Sequence, residues 1–407
     1  MKGPLKQDQS HPFAADPGIS RAQAMTRSMF LKRAALLGVS VSAAGSLIAA
    51  CGGSDSNGSS ESTSGTSLAE LGELGGAIQI LTYAGYEGGD TIKPFLSKNG
   101  IDAKTTFINN QDDVTTRLRS PAGSTADAAQ LGGAQVDIYR NLGAFKPLQP
   151  DWFSNYDTVE PRFTKLFKNK DGSLVSMPFV WGSLGWNYRP DLTDPIESWS
   201  ELTESKFKGK IAMIDDPVSS IQTGALAIGV EEPGRMTKDE LAKTQEFLTK
   251  VKANARTVAA GYGDIADLLV AGDVWCSFQG WNAVQAFAAD KGGEVLTGYP
   301  KEKSVGFIDS FGIPSESDNP RTGTAFIDEM IGKKMQAYVG NDLVSGVVRL
   351  DVVPQIKGLG AEVFDYNDFD NIFDNQLNFA LDAPIEPDGD IATHEEWVTA
   401  WEDVKAS

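Results

Sequence analysis

Histidine and cysteine are almost missing from this chain, with two of each in 407 residues. That leaves little material for a zinc site, a thiol–imidazole pair or a disulfide framework. Positive charge is also short: 36 Lys and Arg stand against 55 Asp and Glu, a net charge of −19. A nucleic-acid binder needs a net positive face to displace phosphate counterions, so the balance argues against one. No G-x-x-x-x-G-K-[ST] phosphate loop and no G-x-S-x-G elbow occurs, and His394-Glu395-Glu396-Trp397 lacks the second histidine of a zinc-protease helix. Most enzyme chemistry is thereby disfavoured. What is present is apolar and aromatic: 41% hydrophobic residues and 8 Trp, too rich for a disordered acidic chain. The length fits two lobes or one large α/β domain.

Residues 1–50 read as an export signal. Lys32 and Arg33 precede an uncharged run, AALLGVSVSAAGSLIAA, over residues 34–50. A basic region, an apolar region and a small-residue end make a cleavable leader. Ile48-Ala49-Ala50-Cys51 resembles a bacterial lipobox, which implies that Cys51 is lipidated and becomes the mature N-terminus. Residues 52–67, GGSDSNGSSESTSGTS, are a polar tether with nothing to bury. Thr26-Arg27-Ser28-Met29-Phe30-Leu31-Lys32 is similar to a twin-arginine export motif in which Ser28 replaces the second arginine. The leader carries six basic and two acidic residues, so from Cys51 onward the chain holds 30 basic and 53 acidic residues, net −23. Cys276, in the apolar stretch Val274–Phe278, reads as an inert buried thiol.

From Gly75 short apolar runs alternate with helix-like stretches, an α/β signature. Strands are expected at 77–83, 105–108, within 174–186, at 210–214, at 273–279 running into Gly280-Trp281, and at 305–314. Thr237 and Glu240 make a capping box that opens a helix to Ala253. Helices are also expected at 92–96, 114–118, 263–271, 321–332 and 334–348.

Several segments in order carry a resemblance. Ser176-Met177-Pro178-Phe179-Val180-Trp181-Gly182 is similar to the S-[IM]-P-[YF]-x-W-G segment of bacterial polyamine-binding proteins that serve ABC importers. Ser198-Trp199-Ser200-Glu201-Leu202, Lys208-Gly209-Lys210 and Asp215-Asp216 resemble the family's next run. Gly280-Trp281-Asn282 and Phe307-Ile308-Asp309-Ser310 resemble its later ligand-contacting strands. The resemblance implies a two-lobe periplasmic-binding-protein fold (type II, flytrap) with strands crossing between lobes. It implies an N-terminal lobe of residues 76–178 and 309–345, after a tether of 51–75, and a C-terminal lobe of 179–308 and 346–407. It implies ligand contacts at Tyr83, Tyr86, Asp216, Trp281, Phe307 and Asp309, with phenylalanine where the family usually has tryptophan. The family's glutamate three residues beyond the Asp pair falls at Ser219, and its Ser-x-Tyr falls near Gly132-Gly133-Ala134.

The chemistry stands without the family. An ammonium that leaves water needs a carboxylate to meet it, and aromatic faces attract it further. The same aromatic residues are equally compatible with a packed core, and Asp216 before Pro217 with a helix cap. The expected protein is a monomeric, lipid-anchored, extracytoplasmic binding subunit without cofactor. Its expected partners are a small organic cation such as putrescine or spermidine and an ABC permease. A ligand-sensing lipoprotein of the same fold and an anchored enzyme using Asp216 or Asp309 are the alternatives.

Overall fold

The computed structural model describes residues 67–108, 111–118 and 126–407. The expected leader, Cys51 and the tether to residue 66 lie outside the described residues.

The first apolar runs build a parallel sheet. Strand β1 (Gly76–Thr82) lies between β2 (Ile101–Phe107) and β3 (Ala128–Gly132). Helix α1 (Gly89–Lys98) makes the crossover that parallel strands require. The long apolar run becomes β4 (Met177–Tyr188), buried along its whole length. Such continuous burial is what an uninterrupted apolar strand signals. Strand β10 (Ser304–Gly312) runs antiparallel to both β3 and β4. Its register against β4 shifts between Asp309 and Ser310, with Ser310 facing Pro178. A bulge of this kind re-aims side chains and tolerates a proline that cannot donate to the ladder.

A second parallel set follows. Strand β5 (Ile211–Ile214) lies between β6 (Ala255–Ala259) and β7 (Cys276–Ser277). Strand β8 (Gly280–Trp281) pairs with Leu184 and Gly185 of β4. Strand β9 (Leu296–Gly298) and β7 pair with β4 between Trp186 and Tyr188. The hydrogen-bonded path is therefore unbroken, in the order β2-β1-β3-β10-β4-β7-β5-β6. It is continuous only because β4 serves the first set along one half and the second set along the other.

The apolar packing separates where the pairing does not. One core gathers Ile78, Leu131, Phe163, Phe179, Phe311 and Phe326, and includes Val347, Phe364 and Leu377. A second gathers Trp186, Trp199, Leu248, Trp397 and Trp401, and a third Ile214, Ile265, Leu269 and Val284. Between them sits a small cluster of Leu184, Leu226 and Val305, against which Tyr262, Trp281 and Phe307 pack.

The remaining helices used below are α2 (Gln111–Leu118), α3 (Pro217–Ala227), α4 (Lys238–Asn254), α5 (Tyr262–Ala271), α6 (Pro320–Met330), α7 (Lys333–Asn341) and α8 (His394–Ala406). Helix α4 opens on the expected Thr237–Glu240 capping box. Two expectations are corrected. The strand at 273–279 shortens to Cys276–Ser277, because Gln279 adopts φ +56° and turns the chain before Gly280. The helix at 334–348 ends at Asn341, since Val344 adopts φ +47° and the chain then enters a short strand, Gly346–Val347, on β4. No described helix is long and apolar enough to cross a membrane.

Candidate functional site

Asp309 comes from the middle of β10, on the same face as Phe307 two residues before it. It is 8% exposed. Tyr86, just beyond β1, donates from its hydroxyl to Asp309 Oδ2 at 3.1 Å. Burial pushes the Asp309 carboxyl up to about 7, and the hydrogen bond from Tyr86 moderates the rise. Tyr86 is itself pushed well above its ordinary value by burial and by the Asp309 charge. Its ring packs edge-on against Phe179 at 4.8 Å and Tyr83 at 5.7 Å. Among the described residues, no lysine or arginine forms an ion pair with Asp309.

Tyr83 is held from the other side. Gln111, the first residue of α2, donates from Nε2 to the Tyr83 hydroxyl and to Gln130 Oε1, each at 3.1 Å. Gln111 Oε1 accepts from the Gly132 amide at 2.9 Å. Burial raises the Tyr83 phenol, followed by the charge of Asp309; Asp216 adds to the rise. Tyr83 thus lies within the field of both carboxylates.

Asp216 sits at the start of α3 and is its N-cap. Its Oδ1 accepts from the Ser219 amide at 3.3 Å and its Oδ2 from the Ser219 hydroxyl at 2.5 Å. Burial raises its pKa while the Ser219 bonds hold it down. The adjacent Asp215 is structural: it accepts from Trp401 Nε1 at 2.9 Å and pairs with Lys405 at 2.8 Å on α8. Ser219 Oγ in turn accepts from Gln279 Nε2 at 2.5 Å, and that amide nitrogen also reaches the Tyr262 hydroxyl at 3.2 Å. Tyr262 meets Trp281 edge-on at 5.8 Å. The Tyr262 phenol is raised well above its ordinary value by burial, then by the Asp216 charge, with a smaller effect of Tyr83.

Electrostatic and packing contacts therefore link Tyr83, Tyr86 and Asp309 to Asp216, Tyr262 and Trp281. Phe307 joins through packing: a Cβ placed on Gly182 would lie 2.4 Å from its ring, so glycine there makes room for it. Sequence reasoning missed Gln111, Gln130, Tyr262 and Gln279, which lie outside the motifs. The position before Gly280-Trp281 was the one available pointer to Gln279. Asp351, further along the chain, accepts from Arg349 Nε at 2.7 Å. Cys276 is buried and its thiol is pushed up to about 12, which suits an inert side chain. His394 Nδ1 lies 3.1 Å from the Asp382 carboxylate.

The likenesses agree with this geometry. Residues 90–361 match the family of bacterial extracellular solute-binding proteins. The putrescine-binding periplasmic protein PotF of Escherichia coli is 23% identical over 286 residues, covering 65% of this chain and 75% of that protein. Spermidine/putrescine-binding periplasmic protein 1 of Haemophilus influenzae is 21% identical over 272 residues, covering 63% and 71%. The TpPotD lipoprotein of Treponema pallidum has the same fold, with a TM-score of 0.67 at 16% identity, covering 81% of this chain and 100% of that one. The two sheets sharing β4 are thus those of a periplasmic-binding-protein fold. The chain belongs to the bacterial extracellular solute-binding proteins, exported proteins that bind a solute rather than transform it.

Proposed function

We propose that the chain captures a small organic cation of the polyamine class, with putrescine the first candidate, and delivers it to an ABC permease. One observation carries this reading: Asp309 is a buried carboxylate among aromatic rings, and no basic side chain of the described residues neutralises it. An ammonium supplies the missing charge, and the rings of Tyr83, Tyr86, Trp281 and Phe307 flank the aliphatic part. Asp216 faces the other end. The names of the Escherichia coli and Haemophilus influenzae relatives point the same way. Ser219, in place of a third acid, suits a diamine better than a longer triamine.

We assign the lobes by their cores: residues 76–183 with 306–378, and 184–305 with 379–407. This moves residues 346–378, expected in the C-terminal lobe, to the first lobe, because Val347, Phe364 and Leu377 pack into its core. Segments 183–184, 305–306 and 378–379 are then the crossings, and ligand lies between the lobes. Lipidation at Cys51 anchors the domain through the tether. In the Cys51→Ser variant, unchanged mass and unchanged membrane attachment would refute the anchor.

The ligand is tested by a thermal-shift screen of the purified domain against putrescine, spermidine, betaines, amino acids and sugars, followed by calorimetry. Putrescine is expected to raise the melting temperature most. Tight binding of a neutral sugar or an anion, with no response to amines, overturns the reading.

A further inference from the structure

Gln279 is fully buried, and its side-chain oxygen finds no donor among the described residues. The orientation of its amide follows from its neighbours. Asp216, as a carboxylate, only accepts, so the Ser219 hydroxyl must give its proton to Asp216 Oδ2. Ser219 then has only lone pairs left for Gln279, which must present Nε2 to it. The same Nε2 meets the Tyr262 hydroxyl. Oε1 is thereby turned away from both hydroxyls and left as an acceptor without a donor. A buried polar group in that state calls for an explanation, and a donor brought by a ligand is one.

The backbone keeps this oxygen in place. Gln279 holds φ +56°, a conformation disfavoured for a residue with a side chain. Gly280 cannot take a Cβ, which would lie 1.9 Å from Asn187 Oδ1, so the turn is locked against β4. Meanwhile Asp216 already accepts two hydrogen bonds at the N-terminus of the 11-residue α3, whose dipole offsets its charge. Its need for an external cation is correspondingly small.

We propose that the Asp216 end of the site recognises its ligand through Gln279 Oε1, and accepts an uncharged hydrogen-bond donor as readily as an ammonium. The ligand class is then a primary amine carrying a second polar N–H or O–H terminus about four carbons away, the amine on Asp309. Gln279 is the residue that sets this selectivity. The inference rests on the cation reading above.

Calorimetry with three ligands of matched length separates the two. Putrescine has an ammonium at the second end, 4-amino-1-butanol a neutral donor, and n-pentylamine a methyl group. The alcohol is expected to bind within about tenfold of putrescine, and n-pentylamine at least about tenfold more weakly than the alcohol, the worth of one hydrogen bond. In Gln279→Met, which keeps the length and removes the acceptor, the alcohol and n-pentylamine should converge to within about threefold while both still bind. If the alcohol is about 100-fold weaker than putrescine and no better than n-pentylamine, Gln279 does not read the second terminus and the inference falls while the cation reading stands. If none of the three amines binds, the cation reading falls and the inference with it. Should Gln279→Met fail to fold, the wild-type ranking of the three ligands decides alone.

Discussion

The two acidic ends of the proposed site share a residue type and little else. Asp216 is satisfied locally: Ser219, three residues on, supplies both donors, and the helix they begin supplies a favourable dipole. Asp309 is held across 223 residues of chain by the Tyr86 hydroxyl, inside a packed sheet, with no ion pair to a lysine or arginine among the described residues. A carboxylate that serves as a helix cap has its charge compensated by the fold. One that is buried without compensation is a standing demand for a ligand, and it is the better guide to function.

The largest expected effect breaks this comparison directly. Asp309→Asn leaves a ligand ammonium desolvated and unpaired, which costs roughly 2–5 kcal/mol by analogy with charge pairs at interfaces. Putrescine affinity should fall by about 30-fold or more. Asp216→Asn keeps a good capping residue and loses only a charge that the helix already offsets, so a drop below about tenfold is expected. Calorimetry on the two variants measures both. Equal losses would mean that the ends are equivalent and that the asymmetry has no energetic meaning.

Proton linkage sharpens it next. The Asp309 carboxyl is raised to about 7 from its ordinary value of 3.8. The ligand-free fold therefore holds a proton that the unfolded chain has released between those values, and its stability falls as pH rises through that window. An ammonium seated on Asp309 favours the charged form and expels the proton. Affinity for putrescine should thus rise about tenfold per pH unit below 7 and level off above it. Calorimetry at pH 6 in buffers of different ionisation enthalpy should detect close to one proton released. A flat profile from pH 5 to 8 means that Asp309 is charged before the ligand arrives. Asp309→Asn should abolish the profile; Asp216→Asn should preserve it.

How much of this was readable beforehand divides along the same line. Local features were legible. The alternation of apolar runs gave the α/β class, and Thr237 with Glu240 marked the start of α4. Asp216 before Pro217 announced a helix cap. Features made by distant contacts were not. Asp309 stood out only through its resemblance to a family motif, because its burial depends on strands β3, β4 and β10 meeting. Gln279 carried no signal beyond standing before Gly280-Trp281: its amide is oriented by Ser219, 60 residues earlier, and by the turn that locks it onto β4. Our reassignment of residues 346–378 rests on the same kind of contact, since Val347 pairs with Val180 far upstream.

A smaller effect tests whether Tyr86 tunes Asp309. Its hydroxyl donates to the carboxylate and so favours the charged form. Hydrogen bonds to charged groups contribute about 1.5–3 kcal/mol, so Tyr86→Phe should move the midpoint of the affinity profile up by about one to two pH units. Affinity at pH 8 should change less than affinity at pH 6. Parallel loss at both values would assign Tyr86 to packing against Phe179 rather than to the charge.

The smallest expected effect concerns Phe307, which stands where relatives of the resembling family usually carry tryptophan. It lies on the Asp309 face of β10, half-buried, with its ring in the space that Gly182 leaves open. Tryptophan offers a cation the most favourable aromatic face, worth about 0.5–1 kcal/mol over an exposed or half-exposed site. Phe307→Trp should therefore tighten putrescine binding by about two- to fivefold, if the larger ring finds room beside Gly182. The control is Gly182→Ala, whose added carbon must displace the Phe307 ring. It should weaken binding of n-pentylamine and putrescine by similar factors, because both place an ammonium on Asp309 beside that ring. A change confined to putrescine would put Phe307 at the Asp216 end instead, and the asymmetry drawn between the two ends would have to be redrawn around a different aromatic wall.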